Sequence, residues 1–469
     1  MSANAPAINS SPSPPTEPPD GLPQPRRGWA LASLVVAITM TALGGTMLNL
    51  ALPTMARDFS VDPADIVWVV SSYQLVIAIL LFPMGALGER IGHGTVYAGG
   101  LALFTVASLV CAATPSFPTL IFARIVQGIG SAAVLSVNIA LFRFIFPRHL
   151  LGRGIGYNTM TVALASTAGP TVGALVLSVA PWQWLFLVNV PIGVIGTLIA
   201  WLALPPTPRT HRAFDGAGTG LIALSVGLLI LGLDGIGRRD PWPILAAQFA
   251  GSLVFFIWLF RHQVARTAPM LPLDLLRMPV IRLSGATSIA SYVVQSLCYI
   301  ALPFYFHDTL GFDLLEGGLL MTPWPLAVAA GTPMAGRLSD RYSAGVLGTA
   351  GLGLLTLGLL LLALLPAEPA PLDILWRMAL CGFGFGFFQT PNSKAIIAHA
   401  PANRTGGASA IQSGSRMLGQ SSGAALVAAV FGGLPELGPL AAIYLALAFA
   451  VLATVVSSLR LGRHDMVSR

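Results

Sequence analysis

The sequence predicts an all-α, polytopic membrane protein, and three observations carry that prediction. Of its 469 residues, 55% are hydrophobic and only 9% charged, where a soluble domain carries roughly 25% charged residues to cover its surface. The mean hydropathy is +0.78. The apolar residues also come in runs of about 20, the length at which a helix crosses a bilayer core, whereas a membrane β-barrel would show short alternating segments.

Residues 1–28 are rich in Pro, Ser, Ala and Asn and cannot bury a core, which predicts a disordered tail. Arg26-Arg27 stand before a span too long for a signal-peptide core, so the pair reads as a topology signal. Spans are predicted over 29–52, 66–87, 95–114, 118–141, 154–179, 184–204, 216–234, 243–260, 283–306, 316–335, 345–365, 372–394, 410–432 and 437–459. Fourteen spans put both termini on one side. Nineteen of the 25 basic residues fall on that side; Arg57, Arg238 and Arg239 fall on the other, and Arg124, Arg377 and Arg416 lie within spans. Positive charge marks the cytoplasmic side, so both termini are predicted there, with the chain multi-pass in the inner (plasma) membrane. The net charge of +7 follows from this topology and gives no case for a nucleic-acid partner. Cys111, Cys298 and Cys381 all lie in spans and read as packing residues rather than a disulfide or metal framework.

A small pattern occurs twice after an apolar stretch: Gly85-x-Leu87-x-Glu89-Arg90 and Gly336-x-Leu338-x-Asp340-Arg341. The copies are 251 residues and eight predicted spans apart. Two six-helix halves would separate them by six spans, so two have been inserted, near 216–234 and 243–260, flanked by basic linkers. The predicted organisation is a tail over 1–28, a first half over 29–204, linkers and inserted pair over 205–282, a second half over 283–459, and a tail over 460–469.

At these residues the chain resembles the major facilitator superfamily, in particular its fourteen-helix drug:proton antiporter group. Gly85-Ala-Leu-Gly-Glu89-Arg90-Ile-Gly92-His93-Gly94 is similar to the signature loop between the second and third helices, with His93 and Gly94 where the family usually has basic residues. Arg124-Ile-Val-Gln127-Gly128-Ile-Gly130 resembles the fourth-helix motif. Gly156, Ala165, Gly169-Pro170 and Gly173-Ala174 match the fifth-helix antiporter spacing, with alanine at two expected glycines. Trp182-Gln-Trp184-Leu-Phe-Leu-Val-Asn189-Val-Pro191-Ile-Gly193 is similar to the start of the sixth helix, and Asn49-Leu-Ala51-Leu52-Pro53 to the end of the first. The group usually has an aspartate five residues before that asparagine; here it is Gly44.

Candidate functional residues follow. Gly85, Glu89, Arg90 and Gly92, with Gly336, Asp340 and Arg341, form a conformational latch: each acid stands beside a helix N-terminus and each arginine can bind carbonyls or a carboxylate across the seam. Arg124 is an intramembrane charge costing about 2.5–3.5 kcal/mol even on the mild scale; the resemblance implies a part in proton coupling or gating, and the alternative is an arginine satisfied by backbone carbonyls. Ser131 and Asn138 share its helix face, and Arg377 is placed as its counterpart in the second half. Gly169, Pro170 and Gly173 make a close-packed, bendable helix at the seam. Asn49, Tyr73, Gln74, Asn138, Asn158, Tyr292, Gln295, Tyr299, Trp324, Gln389 and Asn392, with Gln412, are the candidate cavity set, polar and aromatic with little charge, which suits a planar or amphiphilic organic solute.

No metal spacing, nucleotide loop or nucleophile constellation appears, so no cofactor, no resident metal and no enzyme activity are expected. With no acid deep in a span, a cation pump loses ground to one for neutral or anionic solutes. Two transport readings stand: a proton-coupled exporter of drugs or toxic metabolites, and a facilitator or importer of an organic nutrient such as a flavin-like vitamin. A non-transporting membrane sensor is the third. In the transport readings the partners are the solute, protons and the bilayer, and the chain works as a monomer.

Overall fold

The computed structural model describes residues 21–147, 150–207, 209, 214–266, 271–339, 341–366, 368–401, 405–434 and 437–461. In a bilayer every backbone N–H and C=O must find a partner within the protein, which leaves helices as the open-chain solution. The described residues contain no strand. Their helices are α1 (Arg26–Gly44), α2 (Leu52–Phe59), α3 (Pro63–Ile66), α4 (Trp68–Ile91), α5 (His93–Ala112), α6 (Phe117–Ile145), α7 (Leu151–Leu177), α8 (Trp184–Leu187), α9 (Asn189–Ala203), α10 (Gly216–Arg238) and α11 (Trp242–Val264). The chain continues with α12 (Leu273–Leu276), α13 (Pro279–Phe304), α14 (Leu314–Met321), α15 (Pro323–Leu338), α16 (Ala344–Ala363), α17 (Pro371–Ala398), α18 (Thr405–Gly433) and α19 (Gly438–Ser458). Eleven helical segments of the described residues are long and apolar enough to cross a membrane. The fold is all-α and polytopic.

Several predicted spans are interrupted, each beside a glycine or proline. The span over 29–52 ends as α1 at Gly44, passes Gly45 and Thr46 into a 3-10 turn over Met47–Ala51, and restarts as α2. Two adjacent glycines weaken the helix there, and Pro53 in the first turn of α2 needs no backbone donor. The span over 184–204 breaks at Val188, because Pro191 has no N–H to offer the Leu187 carbonyl. The span over 316–335 breaks at Thr322, where Pro323 and Pro325 remove two such bonds. Order also begins before residue 29: Leu22 N donates to Ile145 O at 3.0 Å, and Arg26 Nε donates to Ala203 O at 3.0 Å. The predicted tail over 1–28 is otherwise outside the described residues up to residue 20, as is the tail over 460–469 from residue 462.

Helices approach through glycine because hydrocarbon supplies no hydrophobic drive and close van der Waals contact must replace it. A Cβ on Gly130 of α6 would lie 2.6 Å from Gly100 O of α5. The same arrangement recurs between α16 and α17, where a Cβ on Gly384 would lie 2.5 Å from Leu355 N and 2.6 Å from Gly351 O. Outward faces are apolar instead: Leu253, Val254, Phe256, Ile257, Trp258 and Phe260 of α11 are all exposed, a patch tolerable in lipid and not in water.

The helices form two groups, α1–α9 and α13–α19. At one end their cores merge: Leu48, Leu52 and Met55 share a buried cluster with Tyr299, Phe304, Phe306 and Met321. Towards the other end their buried clusters are distinct, with α18 packed on α4 between them. Tyr97, Leu141 and Phe142 belong to a first-group cluster reached from α18 by Met417, while Leu275, Ile281, Ile396 and Ile411 form another. The α10–α11 pair spans the seam, since Trp68 Nε1 of α4 donates to Asp234 Oδ1 at 2.8 Å and Arg239 Nη2 donates to Gly433 O of α18 at 3.2 Å.

Asp215 caps α10. Its carboxylate is buried and accepts from Gly218 N at 2.9 Å, Gln263 Nε2 at 3.0 Å and Arg266 Nη2 at 3.1 Å, with His262 Nε2 at 2.9 Å. Burial alone would raise its pKa, but the bonds from His262, Gly218 and Gln263 and the charge of His262 outweigh that and hold it below the usual carboxylate range. A depressed folded-state value adds stability that is complete above the unfolded value of about 3.9 and is lost as pH falls through the folded one. Asp215→Asn is therefore expected to lower the melting temperature near neutral pH, with the gap to wild type closing as pH falls below about 4; melting curves across that range check it.

Glycine packing yields a paired prediction. Gly384→Ala overpacks α16 against α17 and should cost about 1–3 kcal/mol. Gly353→Ala, where a Cβ meets nothing within 4 Å, should stabilise by about 0.5–1 kcal/mol. Thermal unfolding in detergent must show opposite signs.

Candidate functional site

Arg124 enters the structure two turns into α6 and is fully buried. Its Nε donates to Val69 O of α4 at 2.7 Å, and its Nη2 to Gly44 O of α1 at 3.1 Å. Nη1 donates to Gln127 Oε1, and Gln127 Nε2 donates onward to Ser108 Oγ of α5 at 2.7 Å. The guanidinium carbon lies 4.1 Å from the centre of the Tyr73 ring, a cation–π contact strengthened by the absence of water. No carboxylate takes part. Gly44 stands where the resembling group has its acid, and its backbone carbonyl takes up the arginine. A Cβ there would come within 3.3 Å of the Phe104 ring.

Tyr73 links this network to a cavity. Its hydroxyl donates to Thr41 O at 2.8 Å, so the 2.6 Å contact with Ser131 Oγ has the serine as donor. The cavity is lined by Ile38, Thr41 and Ala42 of α1, Gly45 and Thr46 at the break, and Tyr73, Gln74 and Ile77 of α4. Leu135 of α6, Val162 of α7, and Arg416, Met417 and Gln420 of α18 complete it. About 20 Å³ is open to the centre of a water-sized molecule, and one water needs roughly 10–15 Å³ by that measure. This conformation admits water and no organic solute.

Of the cavity candidates named from sequence, Tyr73 and Gln74 line it. The others lie in helix contacts, Gln389 and Gln412 half-buried and the rest buried. Asn138 Nδ2 bonds Asn158 Oδ1 between α6 and α7, and Gln389 Nε2 donates to Tyr292 Oη at 2.8 Å. Gln420 Nε2 reaches Gln295 Oε1 at 3.5 Å. Tyr299 stacks edge-on against Trp324, centroids 5.5 Å apart. Asn392 accepts from Arg460 Nη1 at 2.7 Å and donates to Ser288 Oγ at 2.8 Å. Gln412 bonds Ser393, and Asn49 lies in the 3-10 turn with its side-chain carbonyl unpartnered. The sequence reading missed Arg416 and Gln420 as cavity residues; the signal available was the same intramembrane-arginine rule that found Arg124.

Gly169 and Gly173 bring α7 onto the break after α1: added Cβ atoms would lie 1.9 Å from Thr46 Oγ1 and 2.5 Å from Met47 O. Pro170 lies in the same helix. Across the seam, Thr171 Oγ1 meets Thr322 Oγ1 at 3.4 Å. Gly85 and Gly336 are half-buried near the ends of α4 and α15, and Gly92 ends α4 with φ +106°, which only glycine adopts freely. Glu89, Arg90 and Arg341 are exposed; among the described residues neither arginine makes an ion pair, and Asp340 lies outside them. Arg377 is less buried than Arg124 and pairs with Asp373 at 2.9 Å near the start of α17.

The sequence model of the Major Facilitator Superfamily matches residues 34–424. The chain belongs to the Major Facilitator Superfamily. Its members are secondary transporters that move small solutes across bilayers, and are not enzymes. The chain is 44% identical over 444 residues to "Uncharacterized transporter YebQ" of Escherichia coli (strain K12), covering 94% of this chain and 97% of that one. It is 28% identical over 384 residues to "Riboflavin transporter RibZ" of Clostridioides difficile (strain 630), covering 81% and 83%. It is 29% identical over 342 residues to "Putative multidrug resistance protein MdtD" of Salmonella newport (strain SL254), covering 72% and 73%.

Within this superfamily member the arginine network also carries a stability prediction. Arg124→Met leaves two carbonyls and an amide oxygen without donors, at about 1–3 kcal/mol each, while Tyr73→Phe loses one hydroxyl at about 1 kcal/mol. Unfolding of the purified variants should rank Arg124→Met well below Tyr73→Phe, and the reverse order would contradict the network.

Proposed function

We propose that the chain exports a small, planar or amphiphilic organic solute, a drug or toxic metabolite, in exchange for protons by alternating access. In this reading α7, the α14–α15 pair and α18 also cross the bilayer, giving fourteen spans: two six-helix halves over 29–204 and 283–459 and the inserted α10–α11 pair. One observation carries the proposal: the cavity lies between the two groups, whose cores merge at one end and form distinct clusters at the other. A binding space closed from one side is what alternating access requires. In this reading the merged end, away from the basic loops, lies outside and both termini are cytoplasmic, and Gly85, Glu89, Arg90, Gly92, Gly336, Asp340 and Arg341 form the conformational latch. The chain works as a monomer in this reading, because the cavity is built within one chain.

Exchange is supported by the fifth-helix spacing, whose glycines put α7 against the broken first helix. Coupling uses Arg124 with acids near the span ends: Asp58, bonded by Trp182 Nε1 at 2.9 Å, and Asp234, bonded by Trp68. MdtD points to drugs. RibZ favours a second reading, a facilitator or importer of a flavin-like vitamin, and the acid-free lining is compatible with it.

Inverted membrane vesicles separate the two. Export by antiport requires accumulation inside the vesicle that collapses when the pH gradient is dissipated, and at least a tenfold loss of rate in Arg124→Ala. Uptake indifferent to the gradient excludes the antiport reading, and an unimpaired Arg124→Ala removes that residue from the mechanism.

A further inference from the structure

We infer that Arg416 is the receptor for a carboxylate on the transported solute, which makes the substrate class an organic anion with an aromatic or amphiphilic body. The inference rests on the transport reading of the cavity and concerns what that cavity holds.

Arg416 lies mid-way along α18, is 9% exposed and lines the cavity. The phenols of Tyr73 and Tyr292 are its electrostatic neighbours, and among the described residues no hydrogen bond or ion pair reaches its guanidinium. The two other buried arginines are treated differently. Arg124 has its three contacts, and Arg460 donates to Ser457 O and Oγ, Ser284 Oγ and Asn392 Oδ1. This fold thus satisfies a buried arginine when the arginine is structural. An unpartnered buried charge costs several kcal/mol, and here that cost falls at the wall of the cavity.

Among the lining residues Arg416 is the one charged donor. Thr41 and Thr46 spend their hydroxyls on Ile38 O and Ala42 O of their own helix, at 3.0 and 3.2 Å. None of the lining residues is acidic, and the buried acids among the described residues, Asp215 and Asp234, lie at the two ends of α10. Arg124 adds a second positive charge behind the Tyr73 ring. A cation entering here meets repulsion without a partner, whereas a carboxylate meets a planar fork of donors that fits it with two parallel bonds. Gln74, whose Oε1 has no protein partner, lines the same cavity from α4, and its amide can meet a polar group of the same solute. Arg416 is carried by the last group of helices, because Gly419 and Gly423 seat α18 on α13. Tyr73 and Gln74 belong to the first group, so an anion held here touches both.

The test uses the full chain in detergent and two matched probes, naphthalene-2-carboxylate and its uncharged carboxamide, titrated by calorimetry. Wild type should bind the carboxylate at least tenfold more tightly than the amide. Arg416→Gln should bring the carboxylate down to the amide's affinity, and Arg416→Lys should keep part of the preference, having charge without the fork. In ligand-free melting, Arg416→Gln should raise the midpoint, because it removes an unpartnered charge. Equal affinities in wild type, no binding of the carboxylate, a preference that survives Arg416→Gln, or a lowered ligand-free midpoint each overturns the inference. Binding in detergent needs neither gradient nor direction, so failure of the vesicle experiment leaves this result standing. Vesicle exchange that persists beside a failed titration removes only the carboxylate site.

Discussion

The guanidinium of Arg124 is the knot on which the first group of helices depends. A charge placed in hydrocarbon must be surrounded by acceptors, and the acceptors recruited here come from α1, α4 and α6, with Ser108 of α5 bonded through Gln127. Satisfying that one side chain positions four helices against each other. It also draws in the Gly44 carbonyl where α1 ends, so the break after Gly44, the Tyr73 ring and the cavity wall all follow from it. Backbone carbonyls serve in place of a carboxylate, which leaves the network positively charged.

That charge gives the seam its character. Tyr73 faces Arg124 on one side and the cavity on the other, and Arg416 adds a guanidinium from the opposite group of helices. The seam is bridged unevenly. α10 bonds to α4 and to α18, whereas the separate clusters around Phe142 and Ile281 are not joined. The α10–α11 pair thus lies along one flank of the seam, and its remaining faces, lined with exposed leucine, phenylalanine and tryptophan, belong to lipid.

Much of the fold was legible because membrane helices obey a one-dimensional rule: length and hydropathy decide them before any packing does. Arg124, Tyr73 and Gln74 were legible for a related reason, since polar groups in an apolar run demand an explanation. The breaks at Gly45, Val188 and Thr322 were less so. Each turns on a glycine or proline inside an apolar run, which length and hydropathy alone do not register. The cavity set was only partly legible. Asn138, Asn158, Tyr292, Gln389 and Asn392 looked like binding groups one at a time; in three dimensions Asn138 bonds Asn158, Gln389 bonds Tyr292, and Asn392 bonds Ser288 and Arg460. Arg416 was passed over because sequence cannot distinguish an arginine with partners from one without.

The all-α membrane architecture, the twice-used Gly-x-Leu-x-acid-Arg pattern and the superfamily, which the family match then established, were written in the chain itself. These are properties of composition, run length and short motifs, and they survive without knowledge of any contact. Packing settled which buried arginine is bonded and which has no bond among the described residues, and which polar residues face the cavity. Those are matters of pairing between residues up to a few hundred positions apart, and pairing is settled by packing, where one helix's glycine admits another helix's backbone and one side chain's donor finds, or fails to find, an acceptor.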